Sequence, residues 1–243
     1  MVDTVNGKVG KPIRKGISRP ESLAIDSAGD VYIANVGFFY SDPSSITVYA
    51  HGSTKPKLTI TDAIQRPNTV IVDPSGNVFV ANSQDVAIYA PGSNVPKSIV
   101  SKGVRAPVSL ALDAAGNLYV GNLSSRTTSD VEVYPPGATT PSRTIKDGID
   151  IPYALTTDSS GTVYVANTYG NSVTVYASGS TSPVATITDG VSQPRGIAVD
   201  GNGSVYVANA GANSVTVYSP PYFELQQTIT DDLNYPQWVA FGP

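Results

Sequence analysis

The stretch SGTVYVANTYGNSVTVY (Ser160–Tyr176) returns forty-two residues later as NGSVYVANAGANSVTVY (Asn202–Tyr218). A chain that repeats itself so closely is read from its period first. Outward from this pair, five segments align: LAIDSAGDVYIAN (Leu23–Asn35), VIVDPSGNVFVAN (Val70–Asn82), LALDAAGNLYVGN (Leu110–Asn122), LTTDSSGTVYVAN (Leu155–Asn167) and IAVDGNGSVYVAN (Ile197–Asn209). Their aspartates fall at 26, 73, 113, 158 and 200, so the period is 40 to 47 residues. A period in the forties built from short strands predicts the blades of an all-β propeller.

Each repeat reads as four strands. Strand a is the apolar stretch before the aspartate. The Asp-x-x-Gly segment is a tight turn, because Asp bonds its own backbone and Gly accepts positive φ. Strand b is V-Y-V-A-N. Strand c is the alternating S-V-T-V-Y, a period of two that suits a strand with two different faces. A PGS or SGS turn (Pro91–Ser93, Ser178–Ser180) leads to the more polar strand d, and a connector carrying Pro20, Pro67, Pro107, Pro152, Pro194 or Pro236 starts the next strand a. The repeats run over about 20–66, 67–106, 107–151, 152–193 and 194–235, within one domain spanning 1–243. Residues 236–243 read as a sixth strand a, with Val2–Val5 on strand c and Pro12–Ile17 on strand d. The expectation is six blades, the closing one reduced and built from 236–243 and 1–19. No sixth V-Y-V-A-N exists, so five blades is the alternative.

Composition narrows the function classes. Hydrophobic residues are 40% of the 243, enough for a substantial core. No Lys/Arg cluster accompanies the net charge of −4, which argues against nucleic acid. No apolar run approaches the ~20 residues of a membrane span, so no membrane insertion is expected. The absence of Cys excludes disulfides and thiolate metal sites. MVDTVNGKVG has no apolar core like that of a signal peptide. Low charge with many Ser, Thr, Asn, Tyr and Gly suggests an extracellular or cell-envelope protein; a monomer is expected.

The pattern P-x-G-[IL]-A-[VL]-D-x-x-G-[NS]-[VL]-Y-V-[AT]-[ND], carried almost throughout the chain, resembles the NHL repeat. It is similar in particular to bacterial propellers that form extracellular sensor domains of receptor kinases. Strand c departs from the family, with V-T-V-Y where R-V-x-K is common. The resemblance implies a propeller that binds a ligand or a protein. A minority of similar six-bladed propellers are lactonases or lyases, and fold alone does not choose among these.

In a propeller the d–a and b–c connections share the face around the channel mouth. The recurring tyrosines of strands b and c read as packing between blades, the b-strand asparagines as loop caps, and the aspartates as turn residues. Function is expected where the copies disagree. On the mouth face these are Glu21, Asn68, Tyr153, Arg195 and Gln237, with Trp238 beside the last, at the starts of the a strands. In the b–c loops they are Phe38, Phe39 and Tyr40 of the enlarged VGFFYSDPSS, Arg126 of LSSRTTSD, and Tyr169. Exposed aromatics on long loops suit a small molecule, a carbohydrate or a protein.

No catalytic residue is assigned. His51, the single histidine, lies in a c–d turn on the opposite face. No cofactor is expected. The alternative is a divalent cation such as calcium in the channel, with Glu21 and Asn68 as its ligands, serving a lactonase-like hydrolase or a lyase. A third reading is a structural module of a larger surface protein. The leading expectation is a non-catalytic binding or sensor propeller.

Overall fold

The computed structural model describes residues 2–3, 8–9, 12–38, 43–125 and 128–241. The chain divides into two compact units, Met1–Ser83 with Ala87–Ile99, and Gln84–Val86 with Val100–Pro243. A short hairpin of β1 (Val2–Asp3) and β2 (Lys8–Val9) opens the first unit. Sheet one follows as β3 (Pro20–Ile25), β4 (Val31–Asn35), β5 (Ser45–Tyr49) and β6 (Pro56–Ile60). Sheet two is β7 (Thr69–Val72), β8 (Val78–Ala81), β9 (Val86–Tyr89) and β10 (Pro96–Val100).

The second unit holds three more sheets. Sheet three is β11 (Pro107–Leu112), β12 (Leu118–Asn122), β13 (Asp130–Tyr134) and β14 (Arg143–Ile145). Sheet four is β15 (Pro152–Thr157), β16 (Val163–Asn167), β17 (Ser172–Tyr176) and β18 (Ala185–Ile187). Sheet five is β19 (Pro194–Val199), β20 (Val205–Asn209), β21 (Ser214–Ser219) and β22 (Glu224–Ile229). In all five the strands lie side by side in chain order, the a-b-c-d arrangement read from the repeat. Among the described residues there is no helix.

The repeated residues build this framework. Each turn aspartate accepts two backbone N–H bonds through Oδ1, as Asp158 does from Ser160 and Thr162 at 2.9 Å. Gly161, at φ +80°, completes that turn in a conformation open to glycine. The second oxygen of Asp26, Asp113 and Asp158 accepts the hydroxyl of the strand-b tyrosine, Tyr32, Tyr119 or Tyr164, at 3.1 Å. Burial alone would raise the Asp158 carboxyl. The bonds from Ser160, Thr162 and Tyr164 outweigh it and hold the group below the usual carboxylate range. The same surroundings, burial first, push the Tyr32 phenol up to about 12.

Packing places the two tyrosine series on opposite faces of each sheet. Tyr89 joins Tyr32, Val48 and Ile60 in the core between sheets one and two. Tyr176 packs with Tyr119, Val133 and Ile145 of sheet three, and Tyr218 with Tyr164, Val175 and Ile187 of sheet four. The strand-c hydroxyl then reaches a connector carbonyl: Tyr49 to Lys15, Tyr89 to Asp62, Tyr134 to Lys102, Tyr176 to Asp147 and Tyr218 to Asp189, all at 2.5–2.7 Å. The tyrosine stripes are therefore inter-sheet packing, as their recurrence implied.

The closing blade differs from expectation. Val2–Asp3 pairs with Lys8–Val9, the rest of the expected strand c (Thr4, Val5) lying outside the described residues, and 12–17 contains no strand. The sequence explains both: Asn6-Gly7 is a strong hairpin signal, while Pro12 lacks a ladder donor and Gly16 sits at φ +80°. Ile13 and Ile17 pack instead on Val31, Ile33 and Tyr49. Residues 236–241 also form no strand, since the V-Y-V-A-N that would pair with them is missing. They nonetheless lie against sheet five. Phe241 meets Tyr206 edge-on, with ring centroids 4.9 Å apart. The backbone of 237–239 passes so close to Gly196 that a Cβ there would sit 2.8 Å from Gln237 O and Trp238 Cα.

Candidate functional site

At one end of each sheet, the connector into strand a is tied to the b–c loop. The tie is the strand-b asparagine. Asn35, Asn82, Asn122, Asn167 and Asn209 each accept, through Oδ1, the backbone N–H of the residue seventeen positions earlier, at 2.9–3.1 Å. All five are essentially buried. They are loop caps, with that oxygen engaged by the connector. The residue before each connector proline is left-handed: Arg19, Arg66, Ala106, Ile151, Gln193 and Tyr235 have φ between 43° and 61°. Four of these carbonyls accept an N–H from the b–c loop of their own sheet: Val36 to Arg19, Leu123 to Ala106, Thr168 to Ile151 and Ala210 to Gln193.

Strand a then bulges. The pairing of β3 with β4 shifts between Pro20 and Ser22, that of β11 with β12 between Pro107 and Ser109, that of β15 with β16 between Pro152 and Ala154, and that of β19 with β20 between Pro194 and Gly196. The extra residue in each case is Glu21, Val108, Tyr153 or Arg195. A bulge takes one residue out of the ladder and re-aims its side chain. In four of the five sheets the position where the copies disagree is thus the one the backbone frees from pairing.

In the second unit these features enclose a cavity of about 300 Å³, lined by Thr168, Tyr169, Asn171, Gln193 and Arg195. Sheet four supplies the b–c loop residues, and sheet five supplies the connector and bulge. The two are locked together: Thr168 Oγ1 donates to Pro194 O at 2.7 Å, and Asn171 Oδ1 accepts the Gln193 N–H at 2.8 Å. Asn171 itself is left-handed at φ 46°, a conformation Asn tolerates better than most residues.

Among the described residues, Arg195 is the only charged group lining the cavity. Its guanidinium carbon lies 4.6 Å from the Tyr153 ring centroid and 5.2 Å from that of Tyr235, within cation–π range of both. Its Nη1 donates to Tyr153 Oη at 3.1 Å, and its Nε is buried with no acceptor. Among the described residues no carboxylate pairs with it. This contrasts with Arg105 in sheet three, whose guanidinium is bonded to the buried Asp130 carboxylate, which in turn accepts Asn122 Nδ2 at 2.8 Å.

The structure brings Tyr169 and Arg195 into one cavity and sets Tyr153 against Arg195. Gln237 and Trp238 do not line it; both are exposed on the segment that covers Gly196. Glu21, Phe38 and Asn68 belong to the first unit. Glu21 Oε1 lies 3.7 Å from Arg19 Nε, Phe38 is 58% exposed, and the Asn68 N–H donates to Ala81 O at 2.8 Å. Phe39, Tyr40 and Arg126 lie outside the described residues. His51 is exposed in its turn, where its N–H donates to Asp30 Oδ1 at 3.0 Å.

Asn171, Gln193 and Tyr235 were missed from sequence. Gln193 and Tyr235 immediately precede connector prolines, and that position, left-handed each time, was the available signal. A divalent-ion centre does not fit the bulge residues. Glu21 is their one carboxylate and already faces Arg19, and the others offer an alkyl group, a phenol and a cation. Among the described residues no group of three or more His, Cys, Asp or Glu is placed to hold a metal ion.

Comparison with known proteins agrees on architecture. A family model described as the SMP-30/Gluconolactonase/LRE-like region matches residues 62–243. No curated protein matches the chain. Among solved structures, one described as the nidogen/laminin complex is similar at a TM-score of 0.71 and 17% identity, over 90% of this chain and 88% of its own. At that identity the likeness speaks to the β-propeller fold.

Proposed function

Because this chain belongs to the SMP-30/gluconolactonase/LRE-like family, whose members are six-bladed NHL-type propellers, we propose that it is a propeller that binds a ligand without transforming it, at the end of the sheets where connectors and b–c loops meet. The observation that carries this reading is the cavity in which Tyr169, Gln193 and Arg195 converge from two adjacent sheets. Its residues can hold a molecule by stacking, carboxamide bonds and one positive charge. A sensor role outside the cytoplasm is part of the proposal, supported by the low charge and the polar, Tyr-rich composition. So is a sixth, incomplete blade: Tyr235-Pro236 repeats the left-handed connector, and 237–239 docks on Gly196.

The test is a screen of sugars, short peptides and small organic acids by thermal shift, repeated with Tyr169→Ala. Ligands that stabilise the wild type and not the variant support the reading. A ligand that stabilises both equally places binding elsewhere. Because the family includes lactonases, a second reading is hydrolysis of a lactone; Glu21, outside the matched residues, would then have to leave Arg19 to join Asn68 on a divalent ion. Metal-dependent turnover of a lactone, abolished by Glu21→Gln, would favour that reading over the first.

A further inference from the structure

We infer that the cavity selects molecules bearing a carboxylate, held by Arg195. The inference rests on the reading above that the cavity binds a ligand, and it specifies the ligand's chemistry. Among the described residues the lining holds no acid to attract a cation: it offers a hydroxyl, a phenol, two carboxamides and a guanidinium. In sheet three, by contrast, the connector arginine is neutralised within the fold, Arg105 by Asp130. Arg195 occupies the bulge of β19 and has a phenol as its polar partner. Its charge is unspent.

Its placement also fits recognition of a planar anion. The rings of Tyr153 and Tyr235, 4.6 Å and 5.2 Å from the guanidinium carbon, restrict its motion and shield it from water. A guanidinium restrained in this way loses little further entropy on binding, and its fork matches two carboxylate oxygens. The buried Nε–H has no acceptor to give up, so turning that edge toward an oxyanion breaks no existing bond at that atom. One arginine with no second cation favours a monoanion over a phosphate dianion. Tyr169, 57% exposed at the cavity's edge, offers a face for the ligand's ring or sugar body.

The test uses benzoate and benzamide, which share shape and differ in charge, together with galacturonate and galactose. Each is titrated into the full chain while the backbone amides of Tyr169 and Gln193 and the Arg195 Nε–H are followed by NMR. In each pair the acid is expected to bind about tenfold or more tightly than its neutral partner, as charge-assisted bonds replace neutral ones. The Nε–H resonance should move with the same isotherm. Arg195→Gln should erase the difference within each pair, and Arg195→Lys should keep only part of it, with the resonances of sheet three unchanged in both variants.

Benzamide or galactose binding as tightly as its acid, with the Tyr169 and Gln193 amides responding, overturns the carboxylate inference while leaving a ligand-binding cavity. Retained selectivity in Arg195→Gln overturns the role of Arg195. Inorganic phosphate competing as well as benzoate overturns the monoanion preference. If none of the four probes moves any of the three resonances, the inference falls, and the thermal-shift screen then decides separately whether the cavity binds anything.

Discussion

Tyr176→Phe isolates one bond of the repeating framework. The ring of Tyr176 is fully buried among Tyr119, Val133 and Ile145, and phenylalanine keeps that area. What disappears is the hydroxyl, which donates to Asp147 O at 2.6 Å and lies 3.1 Å from Thr174 Oγ1. The Asp147 carbonyl belongs to the connector that leads through Gly148 to the cap on Asn167; Asp147 is exposed and its bond to Tyr176 part-buried, so water replaces the lost donor in part. The loss is expected at about 0.5–1.5 kcal/mol, the net worth of a hydrogen bond whose acceptor water can reach. For a chain of this size each kcal/mol lowers the melting temperature by roughly 2–4 °C. Tyr176→Ala adds the cavity and should cost about 3–5 kcal/mol. Urea denaturation with an unchanged m-value is the assay. Tyr89→Phe should cost a similar amount, since Tyr89 makes the same bond to Asp62 O at 2.6 Å. A Tyr176→Phe protein within about 0.3 kcal/mol of wild type, below the additivity error of such measurements, would refute the argument that this hydroxyl anchors the connector.

Four further outcomes are expected. Gly196→Ala forces a Cβ against Gln237 O, Trp238 Cα and Val239 N at 2.8–3.0 Å; it should destabilise by about 1–3 kcal/mol as overpacking does, and the fluorescence of the single tryptophan, Trp238, should report displacement of that segment. Gly121→Ala drives a Cβ into Ser109 Oγ and to 3.0 Å from Pro152 O, and should cost a similar ~1–3 kcal/mol. Adding Ser109→Gly recreates the Gly196/Ala208 pairing of sheet five and should recover at least ~0.5 kcal/mol of coupling in a double-mutant cycle. Burial pushes the Glu132 carboxyl up, aided by Asp130 and only partly offset by the Thr144 hydroxyl bond. The folded state therefore binds the proton more tightly than the unfolded chain, and this group's contribution falls as pH rises from the ordinary glutamate value through the raised one. Glu132→Gln should gain stability relative to wild type across that interval, measured by denaturation at several pH values. Asp158, held low, works in the opposite sense: its contribution is present at neutral pH and is lost on acidification through its depressed value.

The sequence by itself determined the repeat, the strands and the structural residues. Those features are local or recur at a fixed offset. The aspartate bonds amides two and four residues on, and the strand-b asparagine caps a backbone N–H seventeen residues back in every copy. The tyrosine series were legible for the same reason, because one packing solution used five times leaves one signature. The bulges were not legible. They arise from how strand a is registered against strand b, two residues facing one, and no residue type at 21, 108, 153 or 195 encodes that. Only the tertiary structure decided that Arg195 lies against Tyr153, forty-two residues away on the preceding sheet, and shares a cavity with Tyr169 and Asn171. It also decided the fate of the chain ends. Without a partner strand, 236–241 settles on the close approach that Gly196 permits and forms no ladder of its own. Repetition is visible along the chain because each copy solves the same local problem. The site is not, because it forms between copies, where residues distant in sequence meet through packing alone.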